Sequence, residues 1–193
     1  MDNFILFLKL GLGHVLEWQA YDHILFLVVL SVIYSFNEAK KVVWLITFFT
    51  VGHTLTLALA AYKILSVDID IVEFLIPVTI LITALTNIIT IKKQAKKSTN
   101  INLFFAFSFG LIHGLGFSNY FRMIVEETEA KLAPLLSFAL GIEIAQLVIV
   151  ISILTIGYLA AKVLKITKRD WVLVLSSIVI GIVIPMLAER KFW

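Results

Sequence analysis

Cysteine is absent from all 193 residues. That removes disulfides, thiolate metal ligands and cysteine redox chemistry, and leaves nitrogen and oxygen as the only donors for a bound ion. Charge is scarce as well, at 15% of the chain against 61% hydrophobic residues. A soluble domain carries about a quarter charged residues to cover its surface. With a mean hydropathy of +1.02, this chain must face lipid instead. There is no Walker lysine motif to supply nucleotide-driven work and no His-Glu-x-x-His helix. The net charge of +3 arises in a few basic loops and signals no nucleic-acid partner.

What is present in quantity is long apolar sequence. A spanning helix needs roughly 20 apolar residues to cross the ~30 Å hydrocarbon layer. Six stretches fit, at about 20–36, 42–62, 71–91, 102–121, 133–161 and 171–188. A shorter piece at 4–17, interrupted by Lys9, Gly11 and Gly13, reads as a re-entrant or interfacial helix, with a true span as the alternative. It lacks a basic leading region and a small-residue cleavage site, so it is expected to stay in the chain rather than be removed as a signal peptide. The expected fold is all-α: one integral membrane domain over residues 1–193, a polytopic bundle of six transmembrane helices plus the short N-terminal one, seven in total.

Loop charge sets the expected orientation. KKQAKK (92–97), KVLKITKR (162–169) and the Lys40-Lys41 loop are basic, whereas VDID (67–70) and EETEAK (126–131) are acidic. Lysine and arginine accumulate on the cytoplasmic side, so the basic loops are expected inside and both termini outside.

The four histidines, His14, His23, His53 and His113, all avoid hydrophilic loops. Ionisable groups at membrane depth cost several kcal/mol, which makes them functional candidates by default. Asp22, Glu73 and Glu143 join them, with Asn87 and Gln146 as interhelical hydrogen-bonding residues. At 1.5 Å rise per residue, the six-span topology sorts these groups into two layers. His14, Asp22, His23 and Glu73 fall at the outer mouth, and His53, His113 and Glu143 roughly 13–15 Å below the surface. Plainer roles compete: Asp22 as a helix cap, Glu73 at a positive helix end, His14 and His23 as interfacial residues beside Trp18 and Tyr21, and the deeper trio as packing contacts. Gly110, Gly114 and Gly116 surround His113, and the Gly110/Gly114 pair makes a small-xxx-small face for a neighbouring backbone. Gly52 beside His53 and Gly141 near Glu143 suit the same purpose.

Four segments carry a resemblance: GHVLEWQAYDHILF (13–26), FFTVGHTLTLALA (48–60), FGLIHGLGF (109–117) and LGIEIAQ (140–146). In this order, across nearly the whole chain, they resemble the HupE/UreJ family of small bacterial membrane proteins. Asp22-His23-Ile24 and the Gly52-His53-Thr54 segment are more distantly similar to the nickel/cobalt transporters. The resemblance implies a multi-pass protein of the bacterial plasma membrane, associated as permease or accessory protein with nickel supply to hydrogenase and urease. Donor chemistry by itself indicates only a divalent transition metal, Ni²⁺, Co²⁺, Zn²⁺ or Cu²⁺, with affinity alone favouring copper.

The expected function is a facilitator in which His14, Asp22, His23 and Glu73 strip water from the ion and His53, His113 and Glu143 receive it. Its partners are the metal ion and the lipid bilayer, with a homo-oligomer left open. Two alternatives stand beside it. One is an intramembrane metal-dependent hydrolase, with Zn²⁺ held by three histidines and Glu143 or Asp22 as general base. The other is haem ligation by His53 and His113.

Overall fold

The structure, a computed structural model, describes residues 2–17, 21–93, 99–125 and 130–193, apart from the side chains of 2, 92–93 and 99–100. Trp18, most of the basic 92–97 loop and most of the acidic 126–131 loop lie outside the described residues. Within them the fold is all-α with seven α-helices: α1 (Asp2–Leu16), α2 (Asp22–Ser31), α3 (Ala39–Ala61), α4 (Ile69–Lys93), α5 (Thr99–Val125), α6 (Leu132–Val163) and α7 (Lys168–Glu189). A single 3₁₀ turn, Phe36–Glu38, leads into α3.

Helices α3 to α7 are each long and apolar enough to cross a membrane, and the protein is a multi-pass membrane protein on that basis. The expected span at 20–36 is not one of them. Its helical part is only 10 residues, about 15 Å, half of what a crossing requires. The correction is therefore five long spans preceded by two short apolar helices. The physical reason lies at the end of α2. Tyr34 N–H turns back to the Ser31 carbonyl at 2.9 Å, and the Asn87 side-chain amide donates to the Val29 carbonyl at 2.6 Å. Val29 is among the last carbonyls of α2, which lack partners within their own helix. A helix can stop inside apolar surroundings only where protein satisfies its freed backbone, and Asn87 on α4 does so.

The long helices are apolar on every side, as lipid-exposed helices must be. On α3, Trp44, Phe48, Val51 and Leu55 form an exposed stripe, while Leu45, Ile46, Phe49, His53 and Leu57 are buried. Two packed groups fill the interior. One joins α1, α3, α5 and α6 around Phe7, Ile46, Phe121 and Phe138. The other joins α2, α4 and α7 around Phe26, Ile76, Ile80, Val179 and Val183.

Glycine decides how closely two helix pairs approach. A Cβ on Gly110 would fall on the Phe49 carbonyl, and one on Gly114 on the His53 carbonyl and Thr56 Oγ1. A Cβ on Gly52 would in turn meet Phe107 of α5. Helices α3 and α5 thus run parallel with their backbones in contact, along the face the Gly110/Gly114 spacing predicts. Gly11 and Gly141 do the same for α1 and α6, each facing the other's helix backbone.

Candidate metal centre

Helices α1 and α2 follow one another along α6: Gly11 packs on Phe138 and Ile142, while Ser31 and Val32 lie by Ile153 and Leu154. His14 is in the last turn of α1 and Asp22-His23 in the first turn of α2. At this break between the two short helices His14 and His23 meet His53 and His113. The two expected layers of histidine collapse into one cluster. Ring centroids are 4.6 Å apart for His14 and His23, 5.5 Å for His14 and His53, 6.1 Å for His23 and His53, and 5.5 Å for His23 and His113.

Hydrogen bonding orients two of these rings. His23 Nδ1 lies 3.1 Å from Asp22 Oδ1, and His113 Nδ1 lies 2.9 Å from the Phe109 carbonyl. Carboxylate and carbonyl oxygens only accept, so Nδ1 carries the proton in both and Nε2 presents a lone pair. This is the arrangement that metal-ligating histidines adopt, with one nitrogen held by an outer acceptor and the other free.

The free nitrogens are the central finding. Nε2 of His14, His23, His53 and His113 is in every case buried without a hydrogen-bond partner, as is Nδ1 of His53. An unsatisfied buried polar atom costs about 1–3 kcal/mol, and native proteins keep few of them. Five in one cluster call for a ligand. Atoms of His14, His23 and His53 lie within 4.8 Å of one another, a group able to hold a metal ion. Two nitrogens bound to one ion at about 2.0–2.1 Å are at most ~4.2 Å apart, so slight ring movements would close the set. Neutral imidazoles suit Zn²⁺, Cu²⁺ and Ni²⁺.

The carboxylates divide. Asp22 is buried at the first turn of α2, where a negative charge suits the helix dipole. Tyr21 rather than Asp22 is the capping residue, though Asp22 Oδ1 also accepts the His23 N–H at 2.9 Å. Its Oδ2 takes a hydrogen bond from Arg190 at 3.2 Å. Glu143 stands apart, on α6, where Oε1 accepts from the Thr47 hydroxyl at 2.6 Å while Oε2 is buried without a partner. Thr47 is six residues before His53, about 9 Å along the helix. One turn on, Thr50 bonds Gln146 at 3.0 Å, which is the interhelical role expected of that glutamine. Glu73 is exposed at the start of α4; it is its main-chain carbonyl that faces Arg190, at 3.4 Å.

An open groove lined by Lys9, Gly13, His14, Glu17, Phe117 and Tyr120 leads to the cluster from the side of α1. On its opposite side His113 rests against Phe26 and Phe49, whose rings stack at 4.9 Å, with Phe109 at 6.0 Å from Phe26. Beyond these rings lies a cavity of about 320 Å³ edged by Tyr34, Thr83, Asn87 and Asn102. Between His53 and His113, by contrast, there is no slot for a haem, because Gly114 seats α5 directly on the His53 backbone.

Reading the sequence for ionisable residues overlooked Arg190, Thr47 and the phenylalanine layer. The proline four residues after Glu73 is the signal that could have pointed to the Glu73 carbonyl, since Pro77 lies inside α4 and gives that carbonyl no N–H.

Among models of known families, one described as HupE / UreJ protein matches residues 1–189. No curated protein and no solved structure gives a match.

Proposed function

This chain belongs to the HupE/UreJ family, and we propose on that premise that it conducts a divalent transition metal ion, nickel, into the cell as a facilitator. The observation that carries the proposal is the convergence of four imidazoles bearing five partnerless nitrogens inside a membrane bundle. The ion is the cargo. It enters by the groove beside His14 and exchanges water for His14, His23 and His53, with His113 beside them. Asp22 supplies negative charge from behind His23. Glu143, with its free Oε2, is the next oxygen donor along α3 and α6, and Glu73 adds negative potential at the rim.

Orientation follows from charge. Lys40, Lys41, Lys162, Lys165, Lys168 and Arg169 stand at one end of α3, α6 and α7, and Asp68, Asp70 and Glu189, with Lys63, Arg190 and Lys191 among them, at the other. With the basic end cytoplasmic, the histidine cluster lies in the outer half, about 12 Å below the end of α3. A divalent ion moving inward then gains about 4.6 kcal/mol per 100 mV, twice the single-charge value. Transport also needs release as well as binding, and neutral imidazoles with one nearby carboxylate hold a dication less tightly than a set of carboxylates would.

The test is flux. Proteoliposomes containing a metal-quenched dye are challenged outside with Ni²⁺, Co²⁺, Zn²⁺ or Cu²⁺. Wild-type protein is expected to quench with Ni²⁺, and His14→Ala and His23→Ala to reduce the rate at least tenfold. Unchanged rates in both variants would refute the proposal. Elemental analysis of the purified protein addresses the hydrolase alternative: an ion retained at one per chain with no flux would make the metal a resident cofactor.

A further inference from the structure

Arg190 is the first residue beyond α7, yet its guanidinium turns inward. Nη1 donates to Asp22 Oδ2 at 3.2 Å and points to the Glu73 carbonyl at 3.4 Å. That carbonyl is available for a covalent reason. In a helix the Glu73 carbonyl accepts from the N–H of residue 77, and residue 77 is proline, which has none. Pro77 thus frees an acceptor within α4 at the level where the Arg190 side chain passes. Anchored there, the guanidinium meets Asp22 from one side while Asp22 Oδ1 holds His23 Nδ1 from the other. The chain of contacts runs from α4 through Arg190 and Asp22 to His23, joining α4, α7 and α2.

We propose that Arg190 is a positioning residue of the histidine cluster: anchored on the Glu73 carbonyl that Pro77 leaves free, it fixes the Asp22 carboxylate so that His23 keeps its proton on Nδ1 and its Nε2 open to the ion. The inference rests on the cluster being a metal site, but it specifies how one ligand is prepared before any metal arrives. Arg190 need not touch the ion. Its charge balances Asp22, and its geometry prevents the carboxylate from rotating off His23. Arginine suits the task because its rigid fork can serve two acceptors at once.

The first measurement is made without metal. In wild-type protein labelled with ¹⁵N-histidine, the His23 ring, assigned by its absence from His23→Gln, is expected as the Nδ1–H tautomer. In Arg190→Gln it becomes a mixture of tautomers, and Arg190→Lys restores most of the Nδ1–H form. Ni²⁺ affinity is expected to fall 10- to 100-fold in Arg190→Gln, the usual consequence of losing an outer-shell partner. In an Asp22→Asn background the same change should have little further effect, because Arg190 acts through Asp22. Pro77→Ala is the second route. It returns an N–H to α4, removes the anchor without weakening the helix, and is expected to shift the His23 tautomer part of the way. Were His23 to stay pure Nδ1–H in both Arg190→Gln and Pro77→Ala, or were Arg190→Gln and Asp22→Asn to multiply in their effects on affinity, the proposal would be wrong. A wild-type protein that binds no Ni²⁺ would instead count against the transport reading, since the tautomer is observed in metal-free protein.

Discussion

Gly114→Ala is expected to weaken metal binding more than tenfold although residue 114 contributes no ligand. The added methyl would lie on the main-chain oxygen of His53 and on Thr56 Oγ1, with the His53 Cα at 2.9 Å. None of these is the end of a flexible side chain that could turn aside, apart from the Thr56 hydroxyl, which is tied to the His53 carbonyl at 3.0 Å. Helix α3 must move as a unit. Overpacking of this kind costs about 1–3 kcal/mol, and the turn displaced first is the one bearing His53. A shift of even an ångström takes one nitrogen out of a set whose members lie within 4.8 Å of one another. The expected result is a lower thermal unfolding temperature in detergent together with Ni²⁺ affinity reduced by more than tenfold. Gly13→Ala is the control. It sits next to His14, but a Cβ there meets nothing within 4 Å, and alanine is about 0.8–1 kcal/mol more favourable than glycine within a helix. Wild-type binding and stability in Gly114→Ala would show that the α3–α5 contact has no bearing on the site.

His53→Leu should give an opposite pair of effects: a more stable metal-free protein that no longer binds metal. His53 is fully buried, and both its ring nitrogens lack partners. Each such atom costs about 1–3 kcal/mol when left unsatisfied, and leucine, of similar volume, carries neither. Leu57, one turn away, is equally buried, so the surroundings accept an aliphatic side chain. Metal-free His53→Leu is therefore expected to unfold at a higher temperature than wild type, by the equivalent of roughly 1–3 kcal/mol. Ni²⁺ should raise the unfolding temperature of wild type, because it binds the folded state, and should leave that of the variant unmoved. Thermal scans with and without Ni²⁺ measure both. A destabilised His53→Leu would mean that the imidazole is held by contacts of its own rather than kept waiting for a ligand.

How much of this could be read from sequence depended on whether the controlling interaction was local. The long helices were legible because membrane thickness sets their length: the expected spans at 42–62, 71–91, 102–121, 133–161 and 171–188 each fall on one of α3 to α7. The stretch at 20–36 was not, because hydropathy continues through Val32 and Ile33 while the helix stops at Ser31. The Asn87 amide that lets it stop is 58 residues away. Burial of His53 and His113 was legible for a related reason, since so few ionisable residues occur in the apolar sequence. The arrangement of the four histidines was not: by the six-span topology His14 and His23 fall in a mouth layer of their own, whereas the break between α1 and α2 sets their rings against His53 and His113. Glu143 shows the limit from the other side. Its depth along α6 was visible in the sequence, but its direction, toward Thr47, depends on how α6 crosses α3.

The stacked rings of Phe26 and Phe49 beneath His113 have an electrical consequence. Voltage across a membrane falls mostly where the medium is least polarisable. The groove beside His14 is open, and beyond Phe109 the cavity is edged by hydroxyl and amide groups, so the apolar rings stand between two more polarisable regions. On the proposed path, an ion resting on the imidazoles would have crossed little of the field, and passage across the aromatic contact rather than binding would sense the membrane potential.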